Sequence, residues 1–296
     1  MPALVVFGDS WANSADHIHT WPEMLATRWG RTLINLAMPH SGSDQLHVQQ
    51  RDLCLLLSDR CLGEDDLAII HTGGNDLYFS QPSSLAALAL SGPFAGLFAS
   101  QIGRSLSANV QDLVQGLIKL GVRHIACVGV PLSTKMPFIA KPVAELGAAR
   151  LALCLARCVM RSSNRALLTA MHAGVADAQR ASGINLHTAH CIDEARAIER
   201  VIDADPTRDE DTWWEDASHP SQALHTALAD VLQVELAHAL DAARSSLAPQ
   251  LAQKGPARDD GATFARFSSV VDDGDVRVSL LPTPKEREAI SQADGE

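Results

Sequence analysis

Five short apolar runs are spaced along the chain, at residues 3–8, 32–36, 67–70, 124–130 and 184–187. Runs of this length are shorter than ordinary helices, and their valine and isoleucine content is typical of strands covered on both faces. We therefore predict five strands, each followed by a turn or a loop.

Between these strands, apolar residues recur at helical spacing. Residues 20–23 have the capping-box pattern with an early proline, and they predict a helix that Gly30 ends. Further helices are predicted over residues 45–57, 109–120, 143–181, 191–202 and 220–244.

The alternation of strands and helices predicts an α/β fold, a three-layer αβα sandwich with a five-stranded parallel sheet in the flavodoxin-like order 2-1-3-4-5. Residues 77–107, which contain glycines such as Gly96, are predicted as an apolar loop or small helices, and residues 131–142 as a loop. One domain is predicted over 1–249. Periodicity then fades, so residues 250–296 are predicted to be a mostly disordered tail.

Composition narrows the class of protein. The chain is 46% hydrophobic and 20% charged, as expected of a soluble globular protein. Its formal net charge of −11 argues against nucleic acid or an anionic membrane as a partner. No run reaches the roughly 18 apolar residues that span a bilayer, and the first strand leaves no room for a signal peptide. We therefore expect a cytoplasmic protein without stable membrane insertion.

The six cysteines lack the spacing of a disulfide framework, and we expect most of them to be buried thiols. His187, His190 and Cys191 are of the residue types that bind metals, but no second cluster of suitable spacing accompanies them. The sequence therefore predicts no metal and no cofactor.

A serine stands where the first strand ends, in Gly8-Asp9-Ser10. Ligands of open parallel sheets bind outside the carboxyl ends of the strands, so Ser10 is well placed for chemistry, although Asp and Ser also cap helices. The predicted strand order puts the switch point between the first and third strands. That order brings Ser10 beside the turn at Gly74-Asn75.

Two further segments supply what a reactive serine needs. Asp216 and His219 stand three residues apart, so one turn brings the carboxylate onto Nδ1 and leaves Nε2 for Ser10. The N–H of Ser10, an N–H in the loop after residue 35 and the Asn75 amide are candidate donors to an oxyanion. This set predicts acyl transfer by a serine nucleophile.

The segments at residues 8–10, 35–42, 73–76 and 216–220 resemble, in order, the four blocks of the SGNH/GDSL hydrolases, and the similarity spans about residues 3 to 240. The resemblance implies a serine esterase or lipase that hydrolyses carboxylic esters of lipids or small acyl groups. It assigns the roles of nucleophile, oxyanion donor, orienting carboxylate and base to Ser10, Asn75, Asp216 and His219.

The second block departs from the family pattern. The family usually has a glycine that donates to the oxyanion five residues after the block's asparagine, and that position is His40 here, with Gly42 two residues further on. Either Gly42 donates from a shifted loop, or His40 donates through its own backbone N–H. The sequence favours Gly42, with His40 as the alternative.

Other interpretations stay open. A carbohydrate acetylesterase, or an inactive binding module on the same fold, would share these motifs. Trp213 and Trp214 either line the substrate site or anchor the histidine loop. His71 is interpreted as a packed neighbour of the site, and Asp9 as a structural partner, because Asp216 and His219 already form a pair.

Overall fold

The computed structural model describes residues 1–13, 18–58, 61–78, 94–145 and 149–253. Its centre is one sheet of five parallel strands, in the order β2-β1-β3-β4-β5. The strands are β1 Ala3–Gly8, β2 Thr32–Asn35, β3 Leu67–His71, β4 His124–Val128 and β5 Thr188–Ile192. The predicted α/β fold and strand order are confirmed.

The burial of each strand follows from its place in the sheet. Every residue of β1, β3 and β4 is buried, which explains why their sequences are almost entirely apolar. The edge strands β2 and β5 are partly exposed.

The predicted position of the fifth strand is wrong. The strand is not the run at 184–187 but the following segment, whose Thr188 pairs in register with His124. An edge strand needs no continuous apolar run, so its polar residues concealed it. The N–H groups of His187 and Thr188 both donate to the carbonyl of Arg123, which fixes where pairing begins.

Nine helices surround the sheet within the described ranges. They are α1 Trp21–Trp29, α2 Leu46–Leu57, α3 Gly74–Tyr78, α4 Ala95–Lys119, α5 Pro137–Glu145, α6 Ala149–Ser182, α7 Glu194–Ala204, α8 Glu210–Trp213 and α9 Gln222–Gln253. The capping box is present at α1, where the Glu23 carboxylate accepts from the Thr20 N–H at 2.8 Å. The helix predicted over 191–202 begins only at Glu194, because β5 occupies its first positions.

Residues 77–107 were interpreted as a loop or small helices, and the long helix α4 shows that this is wrong for residues 95–107. Residues 79–93 of that segment lie outside the described residues. Gly96 and Gly103 do not break this helix but let it approach α6. A Cβ at Gly96 would lie 2.4 Å from Ser162 Oγ, and one at Gly103 would lie 3.0 Å from Ala170 Cβ. Likewise α5 occupies the second half of the loop predicted at 131–142.

The C-terminal helix α9 runs to Gln253, beyond the predicted end at Arg244 and past the predicted tail boundary. The rest of that tail, 254–296, lies outside the described residues. No helix in the described part of the chain is both long and apolar enough to cross a membrane.

The expectation that most cysteines are buried is wrong. Cys127 is buried and Cys191 is half-buried, whereas the other four are exposed: Cys54, Cys61, Cys154 and Cys158. Cys154 and Cys158 share a face of α6, as their spacing predicts, but that face is turned to solvent.

The carboxyl ends of the three central strands lie at one edge of the sheet. Gly8 is in register with His71, and His71 is in register with Val128. The segments that follow these residues therefore emerge side by side and form the floor of the candidate site.

Candidate active site

The turn that carries Ser10 is held at its first residue, Gly8. A Cβ at Gly8 would lie 2.2 Å from the carbonyl oxygen of His71, so only glycine allows the two strands this approach. The Gln49 side chain accepts from the Gly8 N–H at 2.9 Å and donates to the Gly8 carbonyl at 2.8 Å. Ser41 Oγ donates to the same carbonyl at 2.6 Å.

Beyond Gly8, the side chain of Asp9 shapes the turn. Its Oδ1 accepts from the Trp11 N–H at 3.0 Å, and its main-chain carbonyl accepts from the Ala12 N–H at 3.1 Å. The Asp9 carboxylate is buried and contacts His71. Asp9 therefore fixes the backbone that directly follows Ser10.

The segment that presents His219 is closed by a short antiparallel bridge between Trp214 and Pro220. The Glu215 N–H donates to the His219 carbonyl at 3.0 Å. Trp213 and Trp214 are both buried, and the ring of Trp214 packs edge-on to Trp11 at 6.0 Å. Of the two interpretations of this tryptophan pair, the structure favours the anchor.

The structure brings Ser10, His219 and Asp216 together in one chain of contacts. Ser10 Oγ lies 3.1 Å from His219 Nε2, and His219 Nδ1 lies 2.7 Å from Asp216 Oδ2. Because Nδ1 faces a carboxylate, the neutral imidazole carries its proton there, and Nε2 is the acceptor for the Ser10 hydroxyl.

Asp216 is held in its ionised form. Burial raises the pKa of its carboxyl group, but the N–H of Ser218, then the imidazole and N–H of His219, outweigh burial and lower the pKa to about 2. The two N–H groups lie 2.6 and 2.7 Å from Oδ1. The carboxylate that orients the imidazole is therefore charged over the whole physiological range.

Asn75 and Asp76, in the segment that follows β3, connect that segment to the loop after β2. Asn75 Nδ2 donates to the Ser41 carbonyl at 2.8 Å, and Asp76 Oδ2 accepts from the Ser43 N–H at 2.9 Å. Burial raises the pKa of Asp76, against the lowering effect of the hydrogen bonds from Ser43. The loop that contains His40 is thereby fixed relative to Ser10.

His40 and Gly42 are the two candidates for the oxyanion donor in the loop after β2, and they differ in backbone conformation and in position. His40 has φ of 64°, inside a turn in which the Ser41 N–H donates to the Met38 carbonyl, and it lines the cavity at Ser10. Gly42 has an ordinary φ of −91°, and a Cβ there would lie 2.8 Å from Asp44 Oδ1. Gly42 is absent from the described residues that line the cavity.

The cavity has a volume of about 250 Å³. Its polar side carries Ser10, His40, Asn75 and His219, and its apolar side carries Trp11, Pro131, Met136, Phe138 and Ala217. The Phe138 N–H donates to the Ala217 carbonyl at 3.1 Å, which ties the apolar wall to the histidine loop.

Sequence reasoning did not single out Met136 and Phe138. Their position in the chain could have indicated them, because the segment that follows β4 leaves the sheet at the same edge as Ser10. Gln49 and Glu194 carried no local signal. Within the described ranges, no three His, Cys, Asp or Glu side chains are grouped so that they could hold a metal ion.

A parallel αβα sandwich with Ser, His and Asp in hydrogen-bond contact at one edge of the sheet has the arrangement that nucleophilic catalysis by a serine requires. Residues 6–227 match the model of the GDSL-like lipase/acylhydrolase family, and the chain belongs to that family of hydrolases.

Two solved structures are similar to this chain at low sequence identity. A member of the lipolytic protein G-D-S-L family from Veillonella parvula DSM 2008 is 12% identical, with a TM-score of 0.45, over 78% of this chain and 96% of its own. The psychrotrophic esterase EstA from Pseudoalteromonas sp. is 14% identical, with a TM-score of 0.45, over 81% of this chain and 100% of its own. No curated protein sequence matches the chain.

Proposed function

We propose that the protein is a serine esterase that hydrolyses carboxylic esters with short acyl groups through an acyl-enzyme intermediate. The observation that carries the proposal is the chain of contacts from Ser10 Oγ to His219 and on to Asp216, at the wall of a cavity. Family membership supports the general activity, that of an esterase or acylhydrolase.

In the first step, Ser10 Oγ attacks the ester carbonyl carbon while His219 Nε2 takes the hydroxyl proton. The tetrahedral intermediate collapses, the alcohol leaves with the proton from His219, and the acyl group remains on Ser10. Water then repeats the sequence, with His219 as base, and releases the acid. Asp216 stabilises the imidazolium that forms in both steps.

Three N–H groups are proposed to stabilise the oxyanion: the backbone N–H of Ser10, the side-chain amide of Asn75 and the backbone N–H of His40. Asn75 uses one amide hydrogen on the Ser41 carbonyl, and a primary amide carries two. We prefer His40 to Gly42 because His40 lines the cavity and has the positive φ that a turn glycine would have.

The size and polarity of the cavity support a short acyl group. Ligand pockets usually measure about 300–1,000 Å³, and this cavity is smaller. Its lining includes the apolar side chains of Pro131, Met136 and Phe138, which suit an alkyl chain better than the hydroxyl groups of a sugar. We therefore rank acyl esters above acetylated carbohydrates.

The test is hydrolysis of p-nitrophenyl esters from acetate to palmitate by wild type and Ser10→Ala. We expect the highest rate on the short esters and a loss of at least about 10³-fold in the variant. Ser100→Ala, at an exposed serine of α4, is the matched control. Equal rates for wild type and Ser10→Ala would refute the proposal. Activity confined to acetyl esters, with acetate released from a polysaccharide, would favour the carbohydrate esterase.

A further inference from the structure

Three ionisable side chains lie buried directly beneath the Ser10 turn. His71 Nε2 is 2.7 Å from Glu194 Oε2, and His71 Nδ1 is 3.3 Å from Asp9 Oδ1. The relative exposures of Asp9, His71 and Glu194 are 3%, 1% and 0%. The rings of Trp11 and Trp21 pack on the imidazole, with centroids at 6.4 and 6.1 Å.

Each ring nitrogen of His71 faces a carboxylate, and a neutral imidazole carries one N–H, so only the cation presents an N–H to both. Nε2 is hydrogen-bonded to Glu194, whereas the contact of Nδ1 with Asp9 is an ion pair and is not aligned as a hydrogen bond. Burial lowers the pKa of His71, but the carboxylates of Glu194 and Asp9 outweigh burial and raise that pKa well above its ordinary value. His225, on α9, is affected by this cluster: burial, and then the charges of His71 and His219, lower the pKa of His225 to about 4.

Stability alone does not account for such a cluster. Removing two carboxylates and an imidazolium from water costs free energy, and apolar side chains of similar volume often stabilise a fold as well or better. In addition, Glu194 Oε1 has no hydrogen-bond partner in the described part of the chain.

The cluster of Asp9, His71 and Glu194 reaches the Ser10 turn through Asp9. Oδ1 of Asp9 contacts His71 and also accepts the Trp11 N–H. Ser10 lies between Asp9 and Trp11, so the direction of its hydroxyl and of its N–H depends on how the Asp9 carboxylate is held. His71 connects that carboxylate to Glu194, at the start of α7.

We propose that His71 is a positioning residue for the nucleophile: clamped as a cation between Glu194 and Asp9, it fixes the Asp9 carboxylate and through it the turn that carries Ser10. The inference rests on the proposed esterase function. His71 does not line the cavity and acts only through Asp9.

The first test is Glu194→Gln, which removes one charge and keeps the size of the side chain. With one anion gone, His71 loses its proton at lower pH. We expect kcat to fall on the order of 10- to 100-fold with KM within about twofold, because a displaced nucleophile impairs chemistry rather than binding. We also expect kcat to decline at alkaline pH at least one pH unit earlier than in wild type. Unchanged kcat and an unchanged profile in folded Glu194→Gln would overturn the proposal.

The matched control is His124→Gln, at a buried histidine of β4 whose Nδ1 contacts Thr188 Oγ1 at the opposite end of the sheet. A purely structural role for His71 predicts that both variants lower the melting temperature while kcat and its pH profile are retained. If Glu194→Gln does not fold, Asp9→Asn removes the other anion and must give the same early alkaline decline.

A second readout is independent of activity. In wild type labelled with ¹⁵N-histidine, both ring nitrogens of His71 are expected to remain protonated above neutral pH, and in Glu194→Gln to titrate at lower pH. An unprotonated ring nitrogen of His71 at pH 7 in wild type would refute this inference even in an active enzyme. A wild type that hydrolyses no ester but retains the doubly protonated His71 would refute the proposed function instead.

Discussion

Asn75 donates an amide hydrogen to the main-chain carbonyl of Ser41, 2.8 Å away, and so joins the turn after β3 to the loop after β2. Asp76, the next residue, makes the parallel connection to Ser43. The position of Asn75 and of the loop after β2 is therefore set by hydrogen bonds between these two segments. A catalytic role for Asn75 must be separated from this connecting role.

Asn75→Ala is expected to lower kcat on the order of 10²–10³-fold, the usual cost of one oxyanion donor, with a much smaller effect on KM. The measurement is steady-state hydrolysis of a short p-nitrophenyl ester. Asn109→Ala is the control, because Asn109 Nδ2 donates to Ser43 Oγ at 3.0 Å and supports the same loop. If both variants lose activity equally, the amide of Asn75 acts on loop structure alone.

The three central strands were predictable from sequence because their burial is complete. They are covered on both faces, so β1, β3 and β4 are apolar apart from a histidine at one end of β3 and of β4. The strand β5 is half covered and the helix α4 contains glycines that serve helix packing. The position of β5 and the extent of α4 were predicted wrongly because both depend on contacts with residues far away in the sequence.

The candidate site also has residues that local sequence indicates and residues that it does not. Ser10, Asn75 and the Asp216/His219 pair follow strand ends or share one turn, so local sequence points to them. The contact of His71 with Glu194 joins β3 to α7 and has no local sequence signal. The place of His40 in a left-handed turn was concealed because that conformation usually belongs to glycine.

His40→Gly is expected to retain kcat within a few-fold, because glycine keeps the backbone N–H and the positive φ. His40→Pro removes the N–H and cannot adopt a φ of 64°, so kcat should fall at least about 10²-fold. Relief of left-handed strain in the glycine variant, about 1–2 kcal/mol, is offset by about 0.5–1 kcal/mol of chain entropy. Urea unfolding should therefore show a change of about 1 kcal/mol or less. A fully active His40→Pro would return the donor role to Gly42.

Gly8→Ala is expected to destabilise the protein by at least about 3 kcal/mol, because the new Cβ would lie 2.2 Å from the backbone carbonyl of His71. Gly30→Ala is the comparison: Gly30 also has positive φ, but nothing lies within 4 Å of the added Cβ. That change should cost only about 1–2 kcal/mol of left-handed strain. Urea unfolding of both variants measures the difference, and equal costs would contradict the close approach of β1 and β3.

The low pKa of Asp216, about 2, has a signed consequence for stability. Because the folded value lies below the unfolded one, about 3.9, the stabilisation is complete above about pH 5 and is lost progressively as pH falls through 2. Asp216→Asn should therefore differ from wild type in unfolding free energy by a constant amount above about pH 5, and the difference should shrink steadily as pH falls from there toward 2. Urea unfolding of both proteins between about pH 2 and pH 7 measures this difference, and a difference that does not change with pH would contradict the low pKa of Asp216.

The same sign holds at higher pH for His225, a fully buried histidine on α9 with no hydrogen-bond partner for either ring nitrogen in the described residues. Burial, and then the charges of His71 and His219, lower its pKa to about 4. The unfolded chain takes up this proton near pH 6.5 and the folded protein only near 4, so stability falls as pH drops between these values. From pH 7 to pH 5 the expected loss is about 2 kcal/mol.

His225→Leu should remove most of this loss, because the variant has no group to protonate. The matched control is His238→Leu, at an exposed position of the same helix, which should leave the pH dependence of urea unfolding unchanged. A wild-type stability that is flat between pH 7 and pH 5 would mean that His225 accepts a proton in the folded state.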